Sequence, residues 1–317
     1  MKPSLDGRLM EGLSQGSPTI VQLPHGGGKA RIFWVTLEGP IGTGKTELCK
    51  VLSPRLQEHF GKDRVFYVAE PIDELMASGL FQDYQRKPKR WAFEFQTTFF
   101  DKRTDYFREA YDDMIHALAA SPAQENDTEG CKTAIMLSER SIMSDTCFMR
   151  VQYACGHCSK ETLDRYLRLN SKWRELYRGM VPGLVIYCRA GSNTAGIVEL
   201  CQKRIRERNR EAEQDLVTPE YNAIVLREHD SMFATSVRVV VDGFLGEWAI
   251  GVPIVIVDTT ENYRDDERVA MKKSSELLDH IKANIGEGPH APASYGPFAR
   301  LGGVGPINMG PVVVEEK

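Results

Sequence analysis

Gly39-Pro40-Ile41-Gly42-Thr43-Gly44-Lys45-Thr46 constrains this chain more than any other stretch. It fits G-x-x-x-x-G-K-[ST], and its flanks have the character that pattern needs. Residues 32–37 form an apolar, β-rich run that reads as a buried strand, and residues 47–52 place apolar side chains at helical spacing. Strand, glycine loop and helix together make a phosphate cradle. The glycines let consecutive backbone N–H groups point inward, and the helix N-terminus adds positive potential. Gly39, Gly42 and Gly44 form the loop. Lys45 is placed to reach the β- and γ-phosphates of a nucleotide such as ATP, and the Thr46 hydroxyl to take a position on Mg²⁺. Gly26-Gly27-Gly28-Lys29 lacks a preceding strand and reads as a turn.

Five short apolar runs read as strands: 31–37, 64–69, 133–138, 184–189 and 253–258. Each is nearly continuously apolar, as strands covered on both faces are. Helical patterns separate them at 46–60, 89–118, 141–153, 159–180, 194–213, 219–240 and 265–285. This alternation predicts an α/β fold, with a five-stranded parallel sheet and helices on both faces. Residues 121–130 are polar and read as a surface loop. Residues 1–30 form an N-terminal extension with one apolar patch, Ile20-Val21-Gln22-Leu23. Residues 286–317 form a Gly/Pro-rich C-terminal tail with a second patch, Pro311-Val312-Val313-Val314. The main domain is then 31–285. Such tails are usually disordered, with docking on a neighbouring subunit as the alternative.

The chain has 317 residues, 42% of them hydrophobic, and a formal charge of −4 from 40 basic and 44 acidic residues. A nonspecific nucleic-acid surface needs a basic excess, so nucleic acid is not expected as a partner. No apolar run approaches the roughly 20 residues that span a bilayer, so no membrane association is expected. The first 19 residues have no apolar core of a secretory signal. Seven cysteines, an odd and scattered count, suit a reducing cytoplasm. Cys155-Gly156-His157-Cys158 has the spacing of a redox pair or of half a zinc site. No second C-x-x-C completes a metal site and no first strand precedes it, so it reads as thiols without chemistry.

Four further clusters bear on a ligand site. The second strand ends in Ala69-Glu70-Pro71, which presents Glu70 at the sheet end, where a carboxylate can act as general base on a substrate hydroxyl. The third ends in Ser138-Glu139-Arg140-Ser141, with Glu139 suited to Mg²⁺ and Arg140 to a transferring phosphoryl. Residues 203–213 carry arginines at 204, 206, 208 and 210, and read as a mobile lid that clamps phosphates. Arg90-Trp91-Ala92-Phe93-Glu94-Phe95-Gln96 places an amide among aromatic rings, able to make two contacts with a base edge. Taken singly, each has a plain alternative: a strand-end acid, a helix-start salt bridge, a solvated charged helix, a packed aromatic core helix.

Together, in this order, the five clusters resemble the deoxyribonucleoside kinase family, in its deoxycytidine/deoxyguanosine kinase branch and deoxyadenosine kinase-like. The resemblance runs from about residue 31 to 285. It rests on Glu70-Pro71, on Pro88-Lys-Arg90-Trp91-Ala-Phe93-Glu-Phe95-Gln96-Thr97, on Glu139-Arg140-Ser141, and on Arg204, Arg208, Arg210 and Glu213. It implies a P-loop kinase fold with an arginine-rich lid, and transfer of the ATP γ-phosphoryl to the 5′-hydroxyl of a deoxynucleoside. By the same resemblance Glu70 takes the 5′-hydroxyl proton and Gln96 reads the base. Arg103 and Asp145 face its amino-bearing edge, and Tyr84 and Glu213 hold the 3′-hydroxyl. Arg208 and Arg210 hold donor phosphates, and Asn262-Tyr263 lies around the donor base. A homodimer is expected. Leu75 and Met149 stand where the family carries a tryptophan and an aromatic, which implies a roomier pocket and deoxyadenosine as preferred substrate. Tyr84 aligns with one inserted residue, and Glu220-Tyr221 falls one residue late. Two other functions use the same parts: a nucleoside monophosphate kinase of thymidylate kinase type, and a nucleotide-switched P-loop binding protein.

Overall fold

Near-continuous apolar strands need cover on both faces, and the computed structural model provides it. It describes residues 19–124, 127, 130–176, 182–208, 217–234, 252–261 and 263–286. The chain runs β1 (Thr19–Gln22), β2 (Lys29–Glu38), α1 (Lys45–Phe60), β3 (Val65–Val68), α2 (Ile72–Ala77), α3 (Leu80–Arg86), α4 (Pro88–Ala120), β4 (Cys131–Glu139) and α5 (Ile142–Ala154). It continues through α6 (Lys160–Leu176), β5 (Leu184–Arg189), α7 (Thr194–Arg208), α8 (Pro219–His229), β6 (Ile254–Asp258) and α9 (Glu267–Gly286).

Five strands lie parallel in the order β3-β4-β2-β5-β6. They are the five that the apolar runs predict. A sixth strand, β1, is an addition. It runs antiparallel to β2, pairing Thr19 with Ile32 and Gln22 with Lys29. β4 takes one edge of β2 along nearly its full length, while β5 takes only Val35–Glu38 of the other. β1 covers the part of that edge which β5 leaves open. The patch at residues 20–23, expected as part of an extension, therefore contributes Val21 and Leu23 to the core beneath α4. β2 begins at Lys29, before the boundary drawn at residue 30.

The two faces of β2 sort by parity. Phe33, Val35 and Leu37 pack with Leu48, Leu52 and Leu56 of α1 and with Leu277 and Ile281 of α9. Ile32 and Trp34 pack with Phe107, Met114 and Leu118 of α4. Alternate residues on a pleated strand point to opposite faces, so one strand serves both layers. α2 and α3 were not anticipated; they fold Leu75, Phe81 and Tyr84 against Ala92, Phe95 and Phe99 of α4. Within the stretch 121–130, Pro122 and Asp127 have a structural task. Arg64, fully buried, donates to both Asp127 oxygens at 3.2 Å and to Pro122 O at 2.8 Å. The parallel strands β2, β3 and β4 all point their C-terminal ends at one crevice, the place where open α/β sheets bind ligands.

Candidate active site

The glycine loop leaves β2 at Glu38 and enters α1 at Lys45. Gly42 has φ +84°, and a Cβ there would stand 2.7 Å from Cys201 O on α7. Only glycine lets the loop lie that close to the helix of the expected lid. Gly44, at φ +87°, has Tyr263 and Arg204 close above it. Arg204 donates through Nη2 to Thr259 O at 2.7 Å. Its Nη1 is buried and has no hydrogen-bond partner among the described residues, 3.7 Å from where a Gly44 Cβ would be. A buried, unpaired guanidinium nitrogen over a phosphate loop fits a polyphosphate. Lys45 donates to Gly39 O at 3.0 Å and Pro40 O at 2.7 Å. Burial, with Arg140 nearby, lowers its pKa to about 8.

Thr46 Oγ1 donates to Glu139 Oε2 at 2.8 Å. A hydroxyl and a carboxylate from two elements suit Mg²⁺, which takes few protein oxygens and fills the rest with phosphate and water. Among the described residues no cluster of three His, Cys, Asp or Glu forms an all-protein metal cage. Tyr67, which no sequence pattern singles out, donates to the other Glu139 oxygen.

Glu70 lies beyond the end of β3. Arg140 Nε stands 3.0 Å and Arg103 Nη2 3.6 Å from its Oε1. Burial alone would raise its pKa, but Arg140, Arg103 and Lys45 together bring it below the usual carboxylate range. Arg103 Nε donates to both Asp145 oxygens, at 2.9 and 3.2 Å, and its Nη1 to Glu139 O at 3.1 Å. Burial raises the Asp145 pKa, against the pull of Arg103. Arg140 itself is gripped on several sides. Its Nη1 donates to Gly39 O at 2.8 Å and lies 3.2 Å from His229 Nε2. The His229 Nδ1 is 2.8 Å from Val225 O, and burial with Arg140 beside it holds the ring neutral, so Nε2 accepts from Arg140. The guanidinium also lies 4.7 Å from the Phe148 ring centroid.

At the far end, Tyr84 stacks on Phe95 with centroids 4.6 Å apart and donates to Gln152 Oε1 at 2.7 Å. Gln152 Nε2 lies 3.3 Å from Tyr221 OH. Lys45, Thr46, Glu70, Tyr84, Gln96, Glu139, Arg140, Asp145, Arg204, Arg208, Tyr221 and Tyr263 all line one cavity of about 1040 Å³. Arg103 stands behind Asp145. Arg210, Glu213 and Asn262 lie outside the described residues. Leu75 and Met149 do not line the cavity; they are buried among Phe81 and Ala92, and among Leu163 and Tyr166. The walls are Ile72, Phe81, Phe95, Phe99 and Phe148 instead. The two changes therefore bear on the pocket from one layer behind its wall. Cys155 and Cys158 are free, and burial raises both thiols, Cys158 to about 11, the opposite of what a redox pair needs.

The family model for deoxynucleoside kinase matches residues 35–285. The chain belongs to the deoxynucleoside kinase family. It is 24% identical over 276 residues to deoxycytidine kinase 1 of Xenopus laevis, covering 81% of this chain and 91% of that one. It is 27% identical over 218 residues to a deoxyguanosine kinase of Lactobacillus acidophilus, covering 66% and 80%. A solved deoxyadenosine kinase from M. mycoides, with products dCMP and dCDP bound, superposes with a TM-score of 0.52 at 16% identity. That superposition covers 79% of this chain and all of the other, and shows the shared fold. Family membership makes the chain an ATP-dependent deoxynucleoside kinase. Among the described residues no helix is long and apolar enough to cross a membrane.

Proposed function

We propose that the cavity transfers the γ-phosphoryl of ATP to the 5′-hydroxyl of a deoxynucleoside, with deoxyadenosine preferred. The observation that carries this reading is Glu70. It is a carboxylate kept ionised by Arg140 and Arg103, in the same cavity as Lys45 and Gln96. The 5′-oxygen forms a bond to the γ-phosphorus as the bond from that phosphorus to the β-bridging oxygen breaks. The hydroxyl proton passes to Glu70, and ADP leaves. Such transfers need positioning and charge neutralisation more than covalent help. Lys45, Arg140 and the lid arginines Arg204 and Arg208 supply the charge, with Arg210 assigned the same role. Thr46 and Glu139 would hold Mg²⁺, which when bound neutralises charge on the β- and γ-oxygens.

Asp145, held by Arg103, accepts hydrogen bonds, so it favours an exocyclic amino group over a carbonyl. Adenine and cytosine carry that amine; thymine carries a carbonyl and a methyl. Gln96 reads the base edge. Tyr84, with Glu213, holds the 3′-hydroxyl, and Tyr221 joins Tyr84 through Gln152. Asn262 and Tyr263 border the donor base. The cavity volume leaves room for a two-ring base beside ATP. A salvage role in the cytoplasm, as a homodimer, completes the reading; seven free thiols suit a reducing compartment. A kinase for nucleoside monophosphates would have to seat an acceptor phosphate, which Glu70 would repel. Glu70→Gln tests the assignment. Turnover should fall at least about a hundredfold, the scale of general-base loss, while ATP binding persists. Near-normal turnover would sink it.

A further inference from the structure

Arg140 is the only non-glycine among the described residues with a positive φ, +65°. A side-chain-bearing residue is strained in such a conformation, and holds it only where its surroundings over-determine it. The surroundings here are specific. Arg140 N donates to Leu37 O at 2.9 Å. Its carbonyl accepts from Ser138 Oγ at 3.1 Å, and Ser138 Oγ in turn accepts from Trp34 Nε1 at 2.7 Å. On the other side stands Glu38, the last residue of β2, which is completely buried. Ser141 Oγ donates to Glu38 Oε1 at 2.5 Å, and Ser144 Oγ donates to Glu38 Oε2. Thr36 Oγ1 lies 3.4 Å from Oε1. Ser141 caps α5, accepting from Met143 N at 3.1 Å, and Ser144 lies 3.4 Å from Arg140 Nη1.

One carboxyl therefore ties the start of the phosphate loop to Ser141 and Ser144, the cap and first turn of α5 that follow Arg140 directly. We propose that Glu38 is a positioning residue for phosphoryl transfer: by clamping Ser141 and Ser144 it fixes the left-handed backbone of Arg140, and so aims that guanidinium at Glu70 and Gly39. Glu38 does not line the cavity. Burial raises its pKa despite the serine hydrogen bonds and Arg140, as for a carboxyl kept for geometry rather than charge. The inference rests on the role assigned to Arg140 above.

The test compares Glu38→Ala, Glu38→Gln and Ser144→Ala, each with and without Arg140→Ala, by steady-state kinetics and by ATP binding. Glu38→Ala should lower kcat by about tenfold to a hundredfold, the usual cost of a misplaced catalytic group. KM for nucleoside and Kd for ATP should stay within about threefold, because only a transition-state contact is lost. Glu38→Gln keeps the shape and can still bond both serines, so it should recover most of the turnover. In the Arg140→Ala background Glu38→Ala should add less than about threefold, as expected when two residues act through one group. Where Glu38→Ala does not fold, Ser144→Ala decides: a fall in kcat that vanishes in the Arg140→Ala background supports the inference. Unchanged kcat in Glu38→Ala, or an equal loss with Arg140 absent, would overturn it. Unchanged kcat in Arg140→Ala alone would instead remove the role of Arg140 on which it rests.

Discussion

Lys45 carries its charge close to the limit of what the site allows. Its pKa of about 8 means that the free enzyme begins to lose that charge in mildly alkaline solution. Bound phosphates favour the ammonium, so above pH 8 binding must take up a proton. ATP affinity should be level below pH 8. It should then weaken with rising pH by up to about tenfold per unit, the slope of one proton. Calorimetry across pH 6.5–9.5 checks this, and Lys45→Met should abolish the slope. At the other end of the cavity, Asp145→Asn replaces a pure acceptor with a group that also donates. Discrimination against thymidine should narrow by about tenfold or more, as measured by kcat/KM for deoxyadenosine and thymidine. The residues that sequence spacing could reach were those in short local patterns: Lys45 and Thr46 in the loop, Glu70 before a proline, Glu139-Arg140-Ser141. Glu38 and His229 were not legible. Their partners lie 103 and 89 residues away, and neither has a local pattern that marks it. Tyr67 sits in a strand where an aromatic is ordinary, and only the fold brings it to Glu139.

Elements were legible in proportion to their length. The 33-residue α4 and the ten-residue β2 repeat their pattern several times. The six and seven residues of α2 and α3 give less than two helical turns, too few for a period to emerge. β1 is four residues long and only half covered, and gave only a patch. The loop before β4 was read from its polarity, which hides its task of neutralising Arg64. That guanidinium is wholly buried, and Asp127 is only 6% exposed. Removing one member of a buried pair costs about 3–5 kcal/mol, because the other charge is left in place. Asp127→Ala should therefore lower the melting temperature by roughly 10 °C, at about 2–4 °C per kcal/mol for a domain of this size. A thermal melt of Asp127→Ala showing no loss would mean that water replaces the carboxylate.

At the scale of the whole molecule, one sheet serves donor and acceptor because the ends of β2, β3 and β4 deliver Lys45, Glu70 and Glu139 to a single crevice. Beyond that core, at least one of the extensions 1–30 and 286–317 is expected to pack on a second subunit; Val21 and Leu23 pack in this chain's own core, so the expectation falls on 1–18 and 287–317, which lie outside the described residues. Truncating both should lower the oligomeric mass seen by light scattering; an unchanged mass would count against it. The most direct measurement is transfer of labelled γ-phosphate from ATP to each of the four deoxynucleosides and to thymidine monophosphate. Deoxyadenosine should be phosphorylated fastest, deoxycytidine or deoxyguanosine next, and thymidine and its monophosphate very poorly. Efficient phosphorylation of thymidine, or of the monophosphate with no nucleoside accepted, would contradict the assignment of Asp145 and Glu70.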